Sequence, residues 1–239
     1  MIGTLAQMDL LANAGRSPWH AASARSKLLL AAGLVLLAVL APSRTLLGAL
    51  FALALTLALS GRLPLRLVML AAGYPLIFVA LFVISHWDGT WATPARLILR
   101  PLTCSLTAVW LMGTTPYPDV FAPLSRILPR GIGDALFLTY RALFELLGRL
   151  ERLWLALRLR GGTRGSVRQR FSHVGEGLGT LVLYGFERSQ RVYAAMQLRG
   201  HNGRICGCRH YAEGSHADVL VGCAGAAALA AALLLWRTP

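Results

Sequence analysis

Apolar residues along this chain gather in long unbroken runs rather than in the alternating patterns of soluble helices and strands. Residues 67–87 contain no Asp, Glu, Lys or Arg, and residues 219–236 form a second uncharged run rich in alanine and glycine. A membrane-crossing helix needs about 20 mostly apolar residues, with a range of roughly 17–25. Both runs reach that length, and residues 102–118 just reach it. Residues 28–41 and 46–60 are shorter and are separated by Pro42-Ser43-Arg44, a turn signal. They read as two antiparallel spans whose ends are extended by snorkelling of Arg25, Lys27 and Arg62. The expected fold is an all-α polytopic membrane protein of about five transmembrane helices.

Residues 119–215 follow a different pattern, with apolar positions at helical spacing among many arginines. Asp119 is placed to cap a short helix with Val120, Phe121, Leu124, Ile127 and Leu128 on one face, ended by Pro129. Such a helix fits an interfacial or docking segment, and a helix packed on the bundle fits equally well. Gly131 and Gly133 read as a joint. A second helix is expected over residues 134–160, with Arg141, Glu145, Arg149 and Arg152 on one polar stripe and Glu145 spaced to pair with Arg149. Leu136, Phe137, Tyr140, Phe144, Leu147 and Trp154 cover the rest of its surface. Residues 161–170 read as a glycine–arginine joint, and a third helix is expected over 174–199, with Glu187 four before Arg191. Both long helices are too apolar to stand free in water, so they should pack on each other and lie against the membrane. The organisation is then an N-terminal segment and four spans (1–118), a region of amphipathic coupling helices (119–215) and a final span (216–239).

Composition narrows the function. Of 239 residues, 56% are hydrophobic and 14% charged, against roughly 25% charged in soluble domains. The net charge is +14, yet a chain this apolar is no nucleic-acid domain. Lys27 is the only lysine, and no glycine-rich loop precedes it. A phosphate-binding GxxxxGK[ST] loop is therefore missing, and this chain cannot be a P-loop ATPase by itself. Lysine Schiff-base chemistry is nearly excluded for the same reason. Cys104, Cys206, Cys208 and Cys223 are too few and too unevenly spaced for a secreted disulfide framework. The segment before Arg25 is mixed and polar, and it reads as a retained segment rather than a cleavable signal.

Basic residues set orientation. Arg16, Arg25 and Lys27 lie before the first span, Arg62 and Arg66 after the second, and fifteen arginines in residues 119–215. The turn at 42–45 carries one arginine, and the C-terminal tail carries only Arg237. These segments place the N-terminus and the 119–215 region in the cytoplasm and the C-terminus outside. The loop expected at 88–101, with Arg96 and Arg100 against Asp88, is the one mildly discordant segment.

The two long amphipathic helices end alike. Ala156-Leu-Arg-Leu-Arg160-Gly161 and Ala195-Met-Gln-Leu-Arg199-Gly200 both read Ala-x-x-Leu-Arg-Gly. Glycine is the usual residue after a helix end, and arginine there suits the helix dipole. That ordinary reading serves either copy alone, but two matched copies suggest two arginine-tipped plugs for two equivalent sockets. The small alanine one turn earlier lets a partner come close while the guanidinium reaches acidic or carbonyl groups.

This doubled ending resembles the paired arginine motifs of the transmembrane (T) component of energy-coupling factor (ECF) transporters. Further landmarks resemble the cobalt-type members, the CbiQ family: Ala24-Arg-Ser-Lys27-Leu-Leu, Thr114-Thr115-Pro116-Tyr117-Pro118, Tyr140-Arg141, and Ala194-Ala195-Met196-Gln-Leu-Arg199-Gly200-His201-Asn-Gly203-Arg204. The resemblance covers roughly residues 10–236. At Ala24 the family usually has proline. The resemblance implies a non-catalytic coupling subunit in a bacterial inner membrane, binding no cofactor itself. Its partners would be two cytoplasmic P-loop ATPases, which carry ATP and Mg²⁺, and a separate substrate-binding membrane subunit. Arg160 and Arg199, with Ala156, Gly161, Ala195 and Gly200, would contact the ATPases. Val120, Phe121, Leu124 and Leu128 would serve docking of the substrate-binding subunit. Co²⁺ is the implied cargo, with Ni²⁺ close behind.

Other clusters are weaker. His201, Cys206, Cys208, His210 and His216 lie close together, but Cys206-Gly-Cys208 is one residue too tight for the usual zinc pair. We expect no metal site there. His86 and Asp88, beside Trp87 and Trp91, fit a membrane interface. No span holds a mid-membrane carboxylate, which argues against a proton- or sodium-coupled carrier. A lipid-modifying membrane enzyme would need clustered acids or histidines, whereas Asp119, Asp134 and His173 are scattered. A polybasic anchor on anionic lipid explains the charge but not the repeated Ala-x-x-Leu-Arg-Gly.

Overall fold

The computed structural model describes residues 9–15, 17–85, 92–162, 164–201 and 216–236, and no strand occurs among them. After a single helical turn, Pro18–Ala21, come α1 (Ala24–Leu40), α2 (Arg44–Ser60), α3 (Leu65–Ser85) and α4 (Ala92–Thr114). They are followed by α5 (Tyr117–Ile127), α6 (Arg130–Leu159), α7 (Val167–Leu198) and α8 (Asp218–Leu235). The chain divides into two compact units, Met1–Pro123 with Arg209–Pro239, and Leu124–Cys208. The division falls inside α5.

In the first unit α4 is the hub, packing against α1, α2 and α3, while α8 packs against α1 and α2. Leu34, Ala38, Leu46, Leu47, Leu50, Leu57, Trp110, Val221 and Ala228 form one core cluster. Ala54, Ala58, Val68, Ala72, Leu106 and Val109 form another, joining α2, α3 and α4. These helices are apolar nearly all round, so hydrophobicity does not choose the buried face. Alanines at 38, 54, 58 and 228 let backbones approach, and Leu34, Leu46, Leu47, Leu50 and Trp110 fill the space between the helices. The outward faces carry large apolar side chains such as Leu29, Ile77, Phe78 and Leu233, a surface suited to lipid. Among the described residues, three helices are long and apolar enough to cross a membrane: Val68–Ser85, Thr93–Thr114 and Asp218–Leu235. With 17 residues each, α1 and α2 stand at the short end of the spanning range.

Polar groups inside the bundle are satisfied locally or at helix ends. In α4 the buried hydroxyls of Thr103, Thr107 and Thr114 donate back to the carbonyls of Leu99, Thr103 and Trp110, at 2.7, 2.8 and 2.8 Å. Lys27 Nζ donates to the carbonyl of Thr114, the last residue of α4, at 3.0 Å. Asp218, in the first turn of α8, accepts from the Ser23 backbone N–H at 2.7 Å and the Ser26 hydroxyl at 2.8 Å. At the other end of the bundle, Arg100 donates to the Ala41 carbonyl closing α1, at 2.8 Å. Ser43, the N-cap of α2, donates to the Leu235 carbonyl closing α8, at 2.7 Å.

Several expectations need correction. The stretch 92–101 is helical rather than loop, so α4 starts at Ala92, well before the expected span, and carries Arg96, Arg100 and Pro101. Proline and two arginines interrupt the apolar run without interrupting the helix. Pro118 belongs to α5, not to the fourth span. Asp119 is no N-cap: it lies in the first turn of α5, its own N–H bonded to the Pro116 carbonyl at 3.0 Å. Gly131 and Gly133 are helical residues of α6, which begins at Arg130 directly after Pro129. The expected joint at 161–170 is shorter, because Ser166 and Gln169 form a capping box that starts α7 at Val167. Lys27 does not snorkel; its side chain is buried. The expected third span ended at Trp87, which lies outside the described residues.

Trp110 is fully buried at the hub, and replacing it with alanine should cost about 3–5 kcal/mol. Leu233 lies on the exposed face of α8, and Leu233→Ala should stay within about 0.5 kcal/mol. Thermal unfolding in detergent micelles checks both, and equal shifts in the two midpoints would contradict this core.

Candidate functional site

In the second unit α6 and α7 form an antiparallel hairpin. The register follows from its contacts: Leu153 and Leu157 of α6 meet Gly177 of α7, and Leu146 meets Gly185. A Cβ at Gly177 would lie 3.1 Å from Leu153 Cδ2, so glycine there permits the close crossing.

A polar cluster ties the two helices further along. Glu145 accepts a hydrogen bond from the Tyr184 hydroxyl at 2.7 Å and lies 3.2 Å from Arg188 Nε. The Arg149 guanidinium sits 3.5 Å above the Tyr184 ring centroid, a cation–π contact. The Tyr184 hydrogen bond is the main reason the Glu145 carboxyl is held below its ordinary range. Attraction from Arg188, Arg149 and Arg141 adds to it, and desolvation opposes it. The sequence stripe thus faces its partner helix in part: Glu145 and Arg149 engage α7, while Arg152 Nε turns back to the Gly148 carbonyl at 3.2 Å. The expected Glu145–Arg149 pairing along α6 gives way to contacts across the hairpin. Glu187 and Arg191 do pair along α7, at 3.7 Å.

The two Ala-x-x-Leu-Arg-Gly segments adopt the same geometry. Arg160 and Arg199 are the C-caps of α6 and α7. Gly161 and Gly200 follow, each at φ +73°, the left-handed region glycine tolerates best. The N–H of Gly161 bonds to the Arg158 carbonyl and that of Gly162 to the Leu157 carbonyl, at 3.2 and 2.8 Å. At the second tip Gly200 bonds to Gln197 and His201 to Met196, both at 3.0 Å. Both ends are Schellman motifs, so the backbone satisfies its own last carbonyls. The arginine side chains are not spent on that task. Neither guanidinium has a hydrogen-bond or ion-pair partner among the described residues, and both arginines are exposed. Ala156 is half-buried and Ala195 exposed.

Sequence reasoning missed part of these tips. Leu159 and Leu198, just before the two arginines, are 80% and 90% exposed, so each tip presents a leucine beside a guanidinium. Their matched position in the repeat was the available signal. Tyr184 and Arg188 were also missed; their i,i+4 spacing on α7 suits one acid on the facing helix. Since α7 has 32 residues, a rise of about 1.5 Å per residue sets the two tips roughly 48 Å apart.

Of the expected docking residues Leu124 is exposed, while Leu128, just beyond the end of α5, is half-buried. Val120 and Phe121 are half-buried and belong to the first unit, whereas Leu124 and Leu128 belong to the second. Two landmark motifs meet, since Lys27 of the first bonds to Thr114 of the second. His201 spends its backbone N–H on the α7 cap, and His216 is exposed. Cys206, Cys208, His210, His86 and Asp88 lie outside the described residues. Among the described residues no group of three His, Cys, Asp or Glu side chains could hold a metal ion.

Apolar helices sharing a core, with an arginine-tipped hairpin after the fourth, define an all-α polytopic membrane protein. The chain matches the sequence model of the CbiQ family, described as cobalt transport protein, over residues 15–207. It belongs to that family, and so is a cobalt transport protein, a membrane component of an ECF-type transporter. No curated protein matches it.

The hairpin should respond to acid. Because the Glu145 carboxyl is held below its unfolded value of about 4.3, its contribution is present above that pH and is lost as pH falls through the lowered folded value. Amide protection factors across the α6–α7 contact, taken against the intrinsic exchange rate at each pH, should therefore fall on acidification, and Glu145→Gln should flatten that dependence. The tips should tolerate substitution better. A Cβ at Gly161 or Gly200 meets no neighbouring atom. Gly161→Ala and Gly200→Ala should therefore each cost only the left-handed strain, about 1–2 kcal/mol. Hairpin melting reads that cost.

Proposed function

We propose that this chain is the non-catalytic coupling subunit of an ATP-driven importer of Co²⁺, seated in a bacterial inner membrane. Its N-terminus and the α6–α7 hairpin face the cytoplasm, and its C-terminus lies outside. Two P-loop ATPases, carrying ATP and Mg²⁺, supply the energy this chain cannot draw from nucleotide itself. A separate membrane subunit binds the cargo. Ni²⁺ is the alternative cargo within the same family.

One observation carries the reading: two copies of one motif end as two matching Schellman caps, each leaving an exposed leucine and an arginine that has no partner among the described residues. Arg160 seats in a groove of one ATPase and Arg199 in the same groove of the other. Ala156 and Ala195 keep the surface behind each arginine low, and Gly161 and Gly200 turn the chain away. Closure of the ATPases on ATP moves the tips together, and the Glu145–Tyr184–Arg188 cluster makes the hairpin respond as one body. Val120, Phe121, Leu124 and Leu128 lie where the chain leaves the fourth span, and they meet the cargo-binding subunit.

Arg160→Ala or Arg199→Ala alone should weaken association with the ATPases roughly 30-fold, the effect of losing an interface hot spot worth about 2 kcal/mol. The double variant should lose copurification and transport altogether. A double variant that still copurifies and transports normally would sink the socket reading.

A further inference from the structure

Lys27 is the only lysine in the chain and is 1% exposed. Its ammonium donates at 3.0 Å to the carbonyl of Thr114. A helix C-terminus carries partial negative charge, so a buried cation there is favourably placed. The carboxylates of Asp119 and Asp218, in the first turns of α5 and α8, also attract it. Ser23, one turn earlier on the chain, and Ser26, immediately before Lys27, hold Asp218. The start of α1 thus gathers the C-terminal end of α4 and the N-terminal end of α8.

The partner of Lys27 sits at a junction. Only Thr115 and Pro116 separate Thr114 from α5, and both threonines are buried. The carbonyl of Pro116 already accepts the N–H groups of Asp119 and Val120 at 3.0 and 3.2 Å. The end of one helix and the start of the next therefore share a two-residue joint, pinned from the side by Lys27. Arg100 makes a similar bond to Ala41, but Ala41 leads only into the turn before α2.

We infer that Lys27 is a positioning residue that locks the α4–α5 joint to α1, so that residues 117–123 move with the span bundle as one body. The consequence for transport rests on the coupling function proposed above, whereas the rigidity of the joint is a property of this chain alone. Lysine suits the task because its point charge on a flexible stem reaches a single carbonyl.

The test uses the full chain in lipid nanodiscs, its four cysteines replaced and spin labels placed at Leu40→Cys and Pro118→Cys. With Lys27 present, pulsed dipolar spectroscopy should give one narrow distance. Lys27→Met should broaden it to several, and Lys27→Arg should keep it narrow. In the assembled transporter Lys27→Met should lower transport at least ten-fold while the ATPases still copurify. An unchanged narrow distance in Lys27→Met would overturn the inference, as would a broad distribution with Lys27 present.

A second measurement needs no variant. As the only lysine, Lys27 offers the chain's only side-chain amine to an acylating reagent, and mass spectrometry can locate the product. It should resist modification in the isolated protein and throughout ATP turnover of the complex. Modification at the rate of the unfolded chain, or modification that appears only during turnover, would overturn the locked joint. If the ATPases do not bind at all, the coupling function fails while the isolated-chain measurements still judge the joint.

Discussion

The last carbonyl groups of an α-helix have no partner within the helix. Away from water, leaving such a group unpaired costs several kcal/mol. In this protein the helix ends of the bundle answer that constraint with side chains from neighbouring helices. Lys27 closes α4, Arg100 closes α1 and Ser43 closes α8. Each bond crosses between helices distant in sequence, so satisfying an end also fixes a neighbour's position. The bundle is therefore held by apolar packing along its length and by polar clasps at both ends. The clasps supply the alignment that nearly uniform apolar surfaces cannot.

In the α6–α7 hairpin the same constraint is met differently. Those helices close their own carbonyls through glycine at positive φ. Self-capping leaves the Arg160 and Arg199 guanidinium groups without a hydrogen-bond or ion-pair partner among the described residues, each beside an exposed leucine. The polar cluster around Glu145 then gives the helices a second tie beyond the Gly177 crossing. For the coupling role proposed above, a stiff strut between the two tips would deliver motion that a soft one would absorb.

How well the sequence could be read depended on the kind of signal. Apolar runs marked the apolar helices of the bundle, and the Pro42-Ser43-Arg44 turn correctly separated α1 from α2. Errors fell where a local breaker was overruled by tertiary contact. Pro101, Arg96 and Arg100 looked like loop, yet Arg100 is needed at the end of α1, and the helix carries it there. Gly131 and Gly133 looked like a joint, yet Gly133 packs against Ser125 within a continuous helix. Asp119 looked like a cap, but Pro116 already starts the turn. At the hairpin, the acid at 145 was visible, while its partners on α7 depended on a register that no local pattern encodes.

What the sequence determined by itself was the membrane character of the chain, its apolar helices, the two amphipathic helices and the repeated arginine ending. Those follow from composition, run length and glycine after a helix end, all of which act within a few residues. Only the tertiary structure decided that Lys27 is a buried clasp, that Glu145 reaches across to Tyr184 and Arg188, and that both tips expose a leucine beside the arginine. Each of these depends on which distant residue arrives at a given helix end or face. That is settled by packing between helices, which the local order of residues does not record.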